Sequence, residues 1–422
     1  MDFLKNEVNW LYLDFNSYFA TIEQQTRPLI RHRPIAVVPS LTKYTCAIAA
    51  SYEAKRLGIK TGTMIFEAKK VCPNLICVQA DHEKYINYHH KLVSEIDKYI
   101  SIDSVCSIDE VACRLIGKNK DPKEAVKVGL SIKSGIKRNV GDYITCSIGI
   151  STNKFLAKTA SNLKKPNGLK FIYKKNILQK IKHLKLSDLT GIGKRLEARL
   201  NLANIKSINC LYTLSPKNMR KIWGGVQGER FWHMLRGNDI PEIITSTRTI
   251  GHSHVLHPDW RDIGMAKQIL IRLILKSASR LRRNNYYCRA IQISIKTNLG
   301  ERFGYKKKFS NVNDSLTLLE KAETLWSNIL IIHSPKKVKH ISVVLYELSP
   351  LENQQTNFLE EINCRLSEYS KKRKKVSEAM DSINSRFGRD SITIGSAPKK
   401  IQPFSGTKVA FTRIPDIKEF YE

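Results

Sequence analysis

Three acidic residues stand where a strongly basic chain has least reason to keep them. Asp109 and Glu110 lie side by side within the apolar run VCSIDEVACRL, and Asp14 closes another, WLYLDF. Val105 and Cys106 before the pair, and Val111, Ala112 and Cys113 after it, favour extended, half-buried backbone. Two strands are therefore expected to meet at the acidic pair. Burying three carboxylates is costly unless cations compensate them, so one reading is a shared divalent metal site. The other is a strand-end acid plus an ordinary acidic turn.

Two further stretches carry residues suited to phosphate. STNKFLAKTASNLKKPNG holds Lys154, Lys158, Lys164 and Lys165 and ends in a Pro-Asn-Gly turn. These lysines either solvate a helix face or, beside a carboxylate cluster, hold the phosphates of a nucleotide. LTGIGKRLEARL sets Gly191 and Gly193, followed by Lys194, between two apolar helical runs. It resembles a helix-hairpin-helix, whose glycine turn lets backbone N–H groups approach a DNA phosphate without reading sequence. A plain helical turn with a glycine cap is the alternative.

The elements that must position these groups follow from the apolar pattern. The strand ending at Asp14 leads into a short helix stopped near Pro28. Next come a strand at 35–38, a helix through EAKKVCPN, and a long amphipathic helix over 84–99. A strand to the acidic pair, a helix over 122–138 and the strand YITCSIGIS complete an α/β palm-like layer. From 247 to 348 the order reads strand, helix (263–283), strand, strand, helix (313–331), strand, a βαββαβ or split βαβ unit. Ile291, Ile293 and Ile295 alternate there with Gln292, Ser294 and Lys296, giving an apolar face and a polar face fit for a nucleic-acid groove. Lys267, Arg272, Lys276, Arg280 and Arg283 form a basic stripe on the first helix. With Lys306, Lys307 and Lys308 nearby, the stripe is expected to meet phosphates; a solvated face explains it equally well. The run KKRKK at 371–375 has the same two readings.

Composition bounds the partners. With 422 residues the chain exceeds a single core, which stops growing at about 250 to 300 residues, so two or more domains are expected. A net charge of +33, from 71 Lys+Arg against 38 Asp+Glu, marks a polyanion binder. No apolar stretch suits a membrane span, the start MDFLKNEVNW reads as neither signal nor transit peptide, and nine scattered cysteines without a CxxC pair read as reduced thiols. A cytoplasmic protein near DNA or RNA is expected, nucleoid-associated if bacterial.

Together, LDFNSYFATIE, AASYEAKRLGIKTG, SIDE, SIGISTNKFLAKTASNLKKPNG and LTGIGKRLEARL resemble, in order and spacing, the Y-family DNA polymerases, the translesion enzymes; the likeness covers residues 8 to 350. The resemblance implies an α+β multidomain, right-hand polymerase. Its expected parts are a palm (1–17 and 81–172), small fingers (18–80), a helical thumb with the helix-hairpin-helix (173–240), a linker (241–246), the βαββαβ little finger (247–350) and a C-terminal tail (351–422). Carried over by position, Asp14, Asp109 and Glu110 bind two Mg2+ ions, with the Phe15 carbonyl as a backbone ligand and Mn2+ able to substitute. Phe19 is the aromatic steric gate against a ribose 2′-hydroxyl, and Tyr52, Lys55 and Lys165 hold the incoming triphosphate. Gly191, Gly193, Lys194, Lys276, Arg280, Arg283 and Lys296 are the expected DNA contacts. Lys55 stands where many members carry Arg, keeping the charge but losing the bidentate fork. Asn16 and Asn162 each replace a frequent Asp outside the metal triad. In QQTNF, Gln354 and Phe358 match a sliding-clamp peptide whose leucines are replaced by Gln355 and Asn357. The expected partners are primer-template DNA, dNTP and possible docking to the sliding clamp, for a monomer with no membrane contact. A non-catalytic DNA-binding scaffold is the competing class, disfavoured by the intact triad. Another palm-type nucleotidyl transferase or a nuclease is a third, disfavoured by the thumb and little-finger patterns.

Overall fold

The structure, a computed structural model, describes residues 8–243, 246–351, 364–388, 391–395 and 414. Gln354 and Phe358 lie outside the described residues. The chain divides into two compact units between residues 242 and 243.

In the first unit, β1 (Trp10–Phe15) is buried along its whole length. Ser17, at a left-handed φ of 47°, turns the chain into α1 (Tyr18–Thr26), which ends before Pro28 as expected. Then come β2 (Ile35–Val38), β3 (Ala49–Ala50), α2 (Tyr52–Arg56), α3 (Ile65–Val71) and β4 (Ile76–Gln79). They build a small sheet of order β3-β2-β4 around Val38, Ala54, Ile59 and Ile65. Ser51 caps α2 by accepting the Ala54 N–H, which sets where Tyr52 and Lys55 begin the helix.

A larger sheet follows. α4 (His82–Asp97) starts at the cap Asp81, and β5 (Ile102–Ser107) and β6 (Glu110–Arg114) form a hairpin with Ile108 and Asp109 in its turn. α5 (Pro122–Asn139) opens on the cap Asp121 with Pro122 in its first turn, where a missing N–H costs nothing. β7 (Cys146–Ser151), α6 (Lys154–Asn162) and β8 (Leu169–Ile172) complete the layer. Tyr143 and Ile144, expected to open β7, precede it. Strand order is β5-β6-β1-β7-β8.

Side-chain alternation splits this sheet by face. Leu11, Leu13, Phe15, Val111 and Ile148 join Leu92 and Ile96 of α4 and Ile132 and Ile136 of α5 in one core. Trp10, Tyr12 and Ala112 face Ala157 of α6 on the other side. Gly149 makes that second packing possible: a Cβ there would lie 1.9 Å from the Ala157 carbonyl oxygen.

The rest of the unit is helical: α7 (Ile177–Ile181), α8 (Lys194–Leu202), α9 (Ile208–Tyr212), α10 (Pro216–Trp223) and α11 (Val226–Leu235). The expected pair of helical runs around Gly191 is corrected on its first side. Residues Leu186–Asp188 form a single 3-10 turn, because the Asp188 carboxylate closes back on the Lys185 N–H at 2.9 Å. Gly191, at φ +93°, then reverses the chain, and Gly193 opens α8 with no side-chain cap.

The second unit runs β9 (Thr249–Val255), α12 (Ile263–Arg283), β10 (Tyr286–Thr297), β11 (Arg302–Val312), α13 (Ser315–His333), β12 (Val338–Tyr346), β13 (Ser349–Pro350) and α14 (Cys364–Phe387). Sheet order β11-β10-β12-β9 places an antiparallel strand inside each strand-helix-strand unit, the split βαβ arrangement. Ile291, Ile293 and Ile295 pack under α12 and α13. The register puts Lys306 opposite Gln292 and Lys308 opposite Ala290 on the polar face, and Lys307 opposite Ile291 on the helical side. This corrects the joint surface expected of the basic stripe and Lys306–Lys308. α12 covers the apolar face, so Lys276, Arg280 and Arg283 lie on the other side of the sheet from Lys296, Lys306 and Lys308. The KKRKK run falls within α14, where Arg373 pairs with Glu320 and Lys374 reaches the Tyr287 ring, while Lys371, Lys372 and Lys375 are exposed. Arg282 chelates Asp381 at 2.6 and 2.9 Å and further fixes α14. Among the described residues no helix is long and apolar enough to cross a membrane.

Substituting Gly149→Ala is expected to drive α6 off the sheet and cost about 3 kcal/mol or more. Urea unfolding of the full chain checks this; a loss under about 0.5 kcal/mol would mean α6 is not bound by that close approach.

Candidate active site

Asp14 and Glu110 are direct cross-strand partners in the β1–β6 ladder, both on the face that α6 covers only in part. Asp109 joins them from the turn, where its carbonyl accepts the Phe15 N–H at 2.8 Å. One sheet end thus collects the triad and the Phe15 backbone. The turn is braced twice: the Ser107 hydroxyl donates to Asp109 at 2.7 Å, and buried His89 of α4 donates through Nδ1 to the Ile108 carbonyl at 2.8 Å.

Each acid has its own charge environment. Lys165 lies 2.6 Å from Asp14 and Lys158 lies 2.7 Å from Glu110, which also accepts the Tyr12 hydroxyl at 2.9 Å. Burial, with smaller pushes from Glu110 and Asp109, holds the Asp14 carboxyl up at about 6 against the downward pull of Lys165. Burial likewise raises Asp109, against the Ser107 hydrogen bond. The lysines therefore offset only part of the cost of charge at this site.

The four lysines of the Lys-rich stretch are now sorted. Lys165 and Lys158 serve the acids, Lys154 pairs with Glu242 and donates to Ser104, and Lys164 is exposed. Lys55 donates to the Ser17 hydroxyl at 2.7 Å and lies 4.7 Å from the Tyr52 ring centre. Burial and the Lys165 charge lower the Lys55 ammonium, while burial and the Asp14 charge push the Tyr52 phenol up to about 12. Phe19 stacks on Tyr85 with ring centres 4.3 Å apart. Tyr85 in turn donates to fully buried Glu23, which Lys84 neutralises at 3.1 Å.

Sequence reasoning missed this supporting set. Tyr12, Ser107 and Ser17 flank the motifs but have unremarkable types, and His89 and Glu23 reach the site only through folding. Asn16 had one signal, a neutral residue where an acid is frequent. Gly191, Gly193 and Lys194 fall together at the α8 start, whereas Lys276, Arg280, Arg283 and Lys296 belong to the second unit.

A hard divalent cation suits this donor set of three carboxylates and one carbonyl, all oxygen. Among the described residues, no group of three His, Cys, Asp or Glu side chains is already arranged around a metal position. Lys165 and Lys158 hold the oxygens that would turn to it.

Residues 13–162 match the impB/mucB/samB family and residues 247–358 its C-terminal domain. The DNA polymerase IV of Clostridium kluyveri is 30% identical over 399 residues, 92% of this chain and 98% of that protein. The chain belongs to the Y-family DNA polymerases. The DNA polymerase IV of Alkaliphilus oremlandii is 28% identical over 393 residues, 91% of this chain and 97% of that one. A Y-family DNA polymerase chimera shares the fold, with a TM-score of 0.69 at 23% identity over 81% of this chain and 99% of the chimera. The expected Y-family architecture is thereby met: five-stranded palm sheet, small fingers sheet, helical thumb, and βαββαβ little finger.

Since folded Asp14 keeps its proton to about 6 and an unfolded Asp to about 4, the folded state binds more protons between these values. Stability therefore falls as pH rises through that window. In divalent-free buffer at pH 7.5, Asp14→Asn is expected to unfold about 3 kcal/mol less readily than the parent, and the gap should close toward pH 4. Urea melts across that range measure it; a pH-independent difference would contradict the assigned burial.

Proposed function

We propose that this chain is a template-dependent, error-tolerant DNA polymerase that extends primers past damaged bases, with Asp14, Asp109, Glu110 and the Phe15 carbonyl holding two Mg2+ ions, replaceable by Mn2+. Bound there, the cations supply Lewis acidity to a primer 3′-hydroxyl and neutralise charge at the α-phosphate and departing pyrophosphate. The observation that carries the reading is the register itself, which sets Asp14 opposite Glu110 with Asp109 in the adjoining turn.

The remaining roles follow from position. Lys165, Lys55 and Tyr52 bind and orient the triphosphate of a dNTP. When phosphates arrive, Lys165 exchanges the Asp14 carboxylate and Lys55 the Ser17 hydroxyl for them, which frees Asp14 for the cations. Phe19, fixed by Tyr85, walls the sugar side and excludes a 2′-hydroxyl. Primer-template DNA is held through phosphates by the Gly191-Ile192-Gly193-Lys194 turn and by the little finger, so affinity falls steeply with salt and depends little on sequence. Lys296, with Lys306 and Lys308 on the same polar face, supplies the little-finger surface; Lys276, Arg280 and Arg283 would meet phosphate only from its helical side. The palm is taken as 1–17 and 81–172, the fingers as 18–80, the thumb as 173–240, the linker as 241–246, the little finger as 247–350 and the tail as 351–422. The chain acts as a monomer in the cytoplasm, with Gln354 and Phe358 as the sliding-clamp contact.

Asp109→Ala is expected to reduce single-nucleotide incorporation by more than about 1,000-fold while leaving primer-template affinity within about threefold. Undiminished extension on a primer-extension gel would remove the metal assignment. Phe19→Ala is expected to raise ribonucleotide insertion relative to dNTP by about 100-fold. Unchanged sugar discrimination would place the gate elsewhere.

A further inference from the structure

Asn16 follows the strand that carries Asp14 and precedes Ser17, the hydroxyl that holds Lys55. It is 1% exposed. Its side-chain oxygen accepts the Asn167 backbone N–H at 2.8 Å and the Thr145 hydroxyl at 3.2 Å. Its nitrogen donates to the Ser147 hydroxyl at 2.9 Å. Ser147 in turn lies 3.5 Å from the Lys164 carbonyl and accepts from the Gly168 N–H at 3.4 Å. One carboxamide thus ties the sheet to both sides of the loop that presents Lys165 to Asp14.

Neutrality matters as much as reach. An amide offers a donor and an acceptor at once, whereas a carboxylate only accepts. Three neighbouring acids already burden this sheet end, and a fourth buried charge would compete for Lys165. On its outer side Lys133 donates to the Asn167 carbonyl and side-chain oxygens at 2.8 Å each, and the Ile148 N–H reaches the Gly168 carbonyl at 2.9 Å, so Asn16 and Ser147 hold the inner side. Lys165 and Asn167 are exposed, and Gly168 fits because a Cβ there would meet the Lys164 carbonyl oxygen at 1.9 Å.

We infer that Asn16 is a positioning residue for nucleotide binding: through the Asn167 N–H and Ser147 it fixes the loop that aims the Lys165 ammonium at the triphosphate. The inference rests on the polymerase reading above. Asn16 touches neither substrate nor metal; beside the loop it meets the Tyr52 phenol, a route that leaves Lys165 in place, so the loop's share of its effect should fall on KM for dNTP rather than on kcat and should vanish once Lys165 is gone.

A double-mutant cycle on the full chain tests this, with single-nucleotide primer extension titrated against dNTP and thermal melts recorded in parallel. Asn16→Ala is expected to raise KM for dNTP about 10-fold with kcat changed less than about threefold. In a Lys165→Ala background the same substitution should change KM by less than about twofold. An unchanged KM in Asn16→Ala, or a full 10-fold effect persisting without Lys165, would overturn the inference. If Asn16→Ala does not fold, Asn16→Ser carries the same cycle, since its hydroxyl serves the neighbouring strand but is too short for the Asn167 N–H. A parent chain that fails to extend primers would instead count against the polymerase reading, and a Lys165→Ala effect without an Asn16 effect against this inference alone.

Discussion

Compensation of buried negative charge is the constraint on which the catalytic unit depends. Asp14 is placed on a fully buried strand, with Glu110 directly across and Asp109 in the next turn. Leaving such charges unpaired would cost more than a marginally stable domain can spare. Lys165 and Lys158 meet that demand from a loop and a helix whose positions are themselves set by Gly149, Gly168 and Asn16. The compensation is incomplete, since Asp14 keeps its proton to about 6. Residual strain of this electrostatic kind is what a cation-binding site retains at the expense of stability.

The supporting residues make this arrangement rigid on three sides. His89 fastens the turn from the α4 layer, Ser107 orients Asp109 from the strand, and Tyr12 shares Glu110 with Lys158. On the nucleotide side, Ser17 holds Lys55 and the Glu23–Tyr85 pair seats Phe19. In the proposed reading, adjacent residues of one β1–α1 corner, 14 to 19, thereby serve metal, phosphate and sugar. In such a corner a small shift moves all three functions together.

The second unit solves a different problem. Its two helices bury one face of a four-stranded sheet, and the exposed face carries Gln292, Ser294, Lys296, Lys306 and Lys308. Polar and cationic side chains on a rigid, twisted sheet suit a backbone of phosphates without base-specific readout. α14 adds to the helical side of that unit through Arg282–Asp381 and Arg373–Glu320. The KKRKK run is accordingly divided between anchoring and solvent exposure.

Much of this was legible in sequence for clear reasons. Strict alternation in Ile291 to Lys296 and the apolar runs around Asp14 and Asp109 are local patterns, so strands, faces and the acidic pair could be read from period alone. Motif order carried the family, and with it the proposed roles of the triad, Phe19, Tyr52, Lys55 and Lys165. Tertiary structure decided what depends on register and on distant elements. Nothing local says that Lys158 meets Glu110, that His89 holds Ile108, or that Asn16 reaches Asn167 across 151 positions. A stretch of basic residues also looks continuous in sequence. Yet a one-residue step reverses a strand side chain, and a helix covers only one face, so Lys307 parts from Lys306 and the α12 stripe parts from Lys306 and Lys308. Residue type determined which groups could bear charge; only the fold determined which charges answer one another, because compensation depends on distance in space.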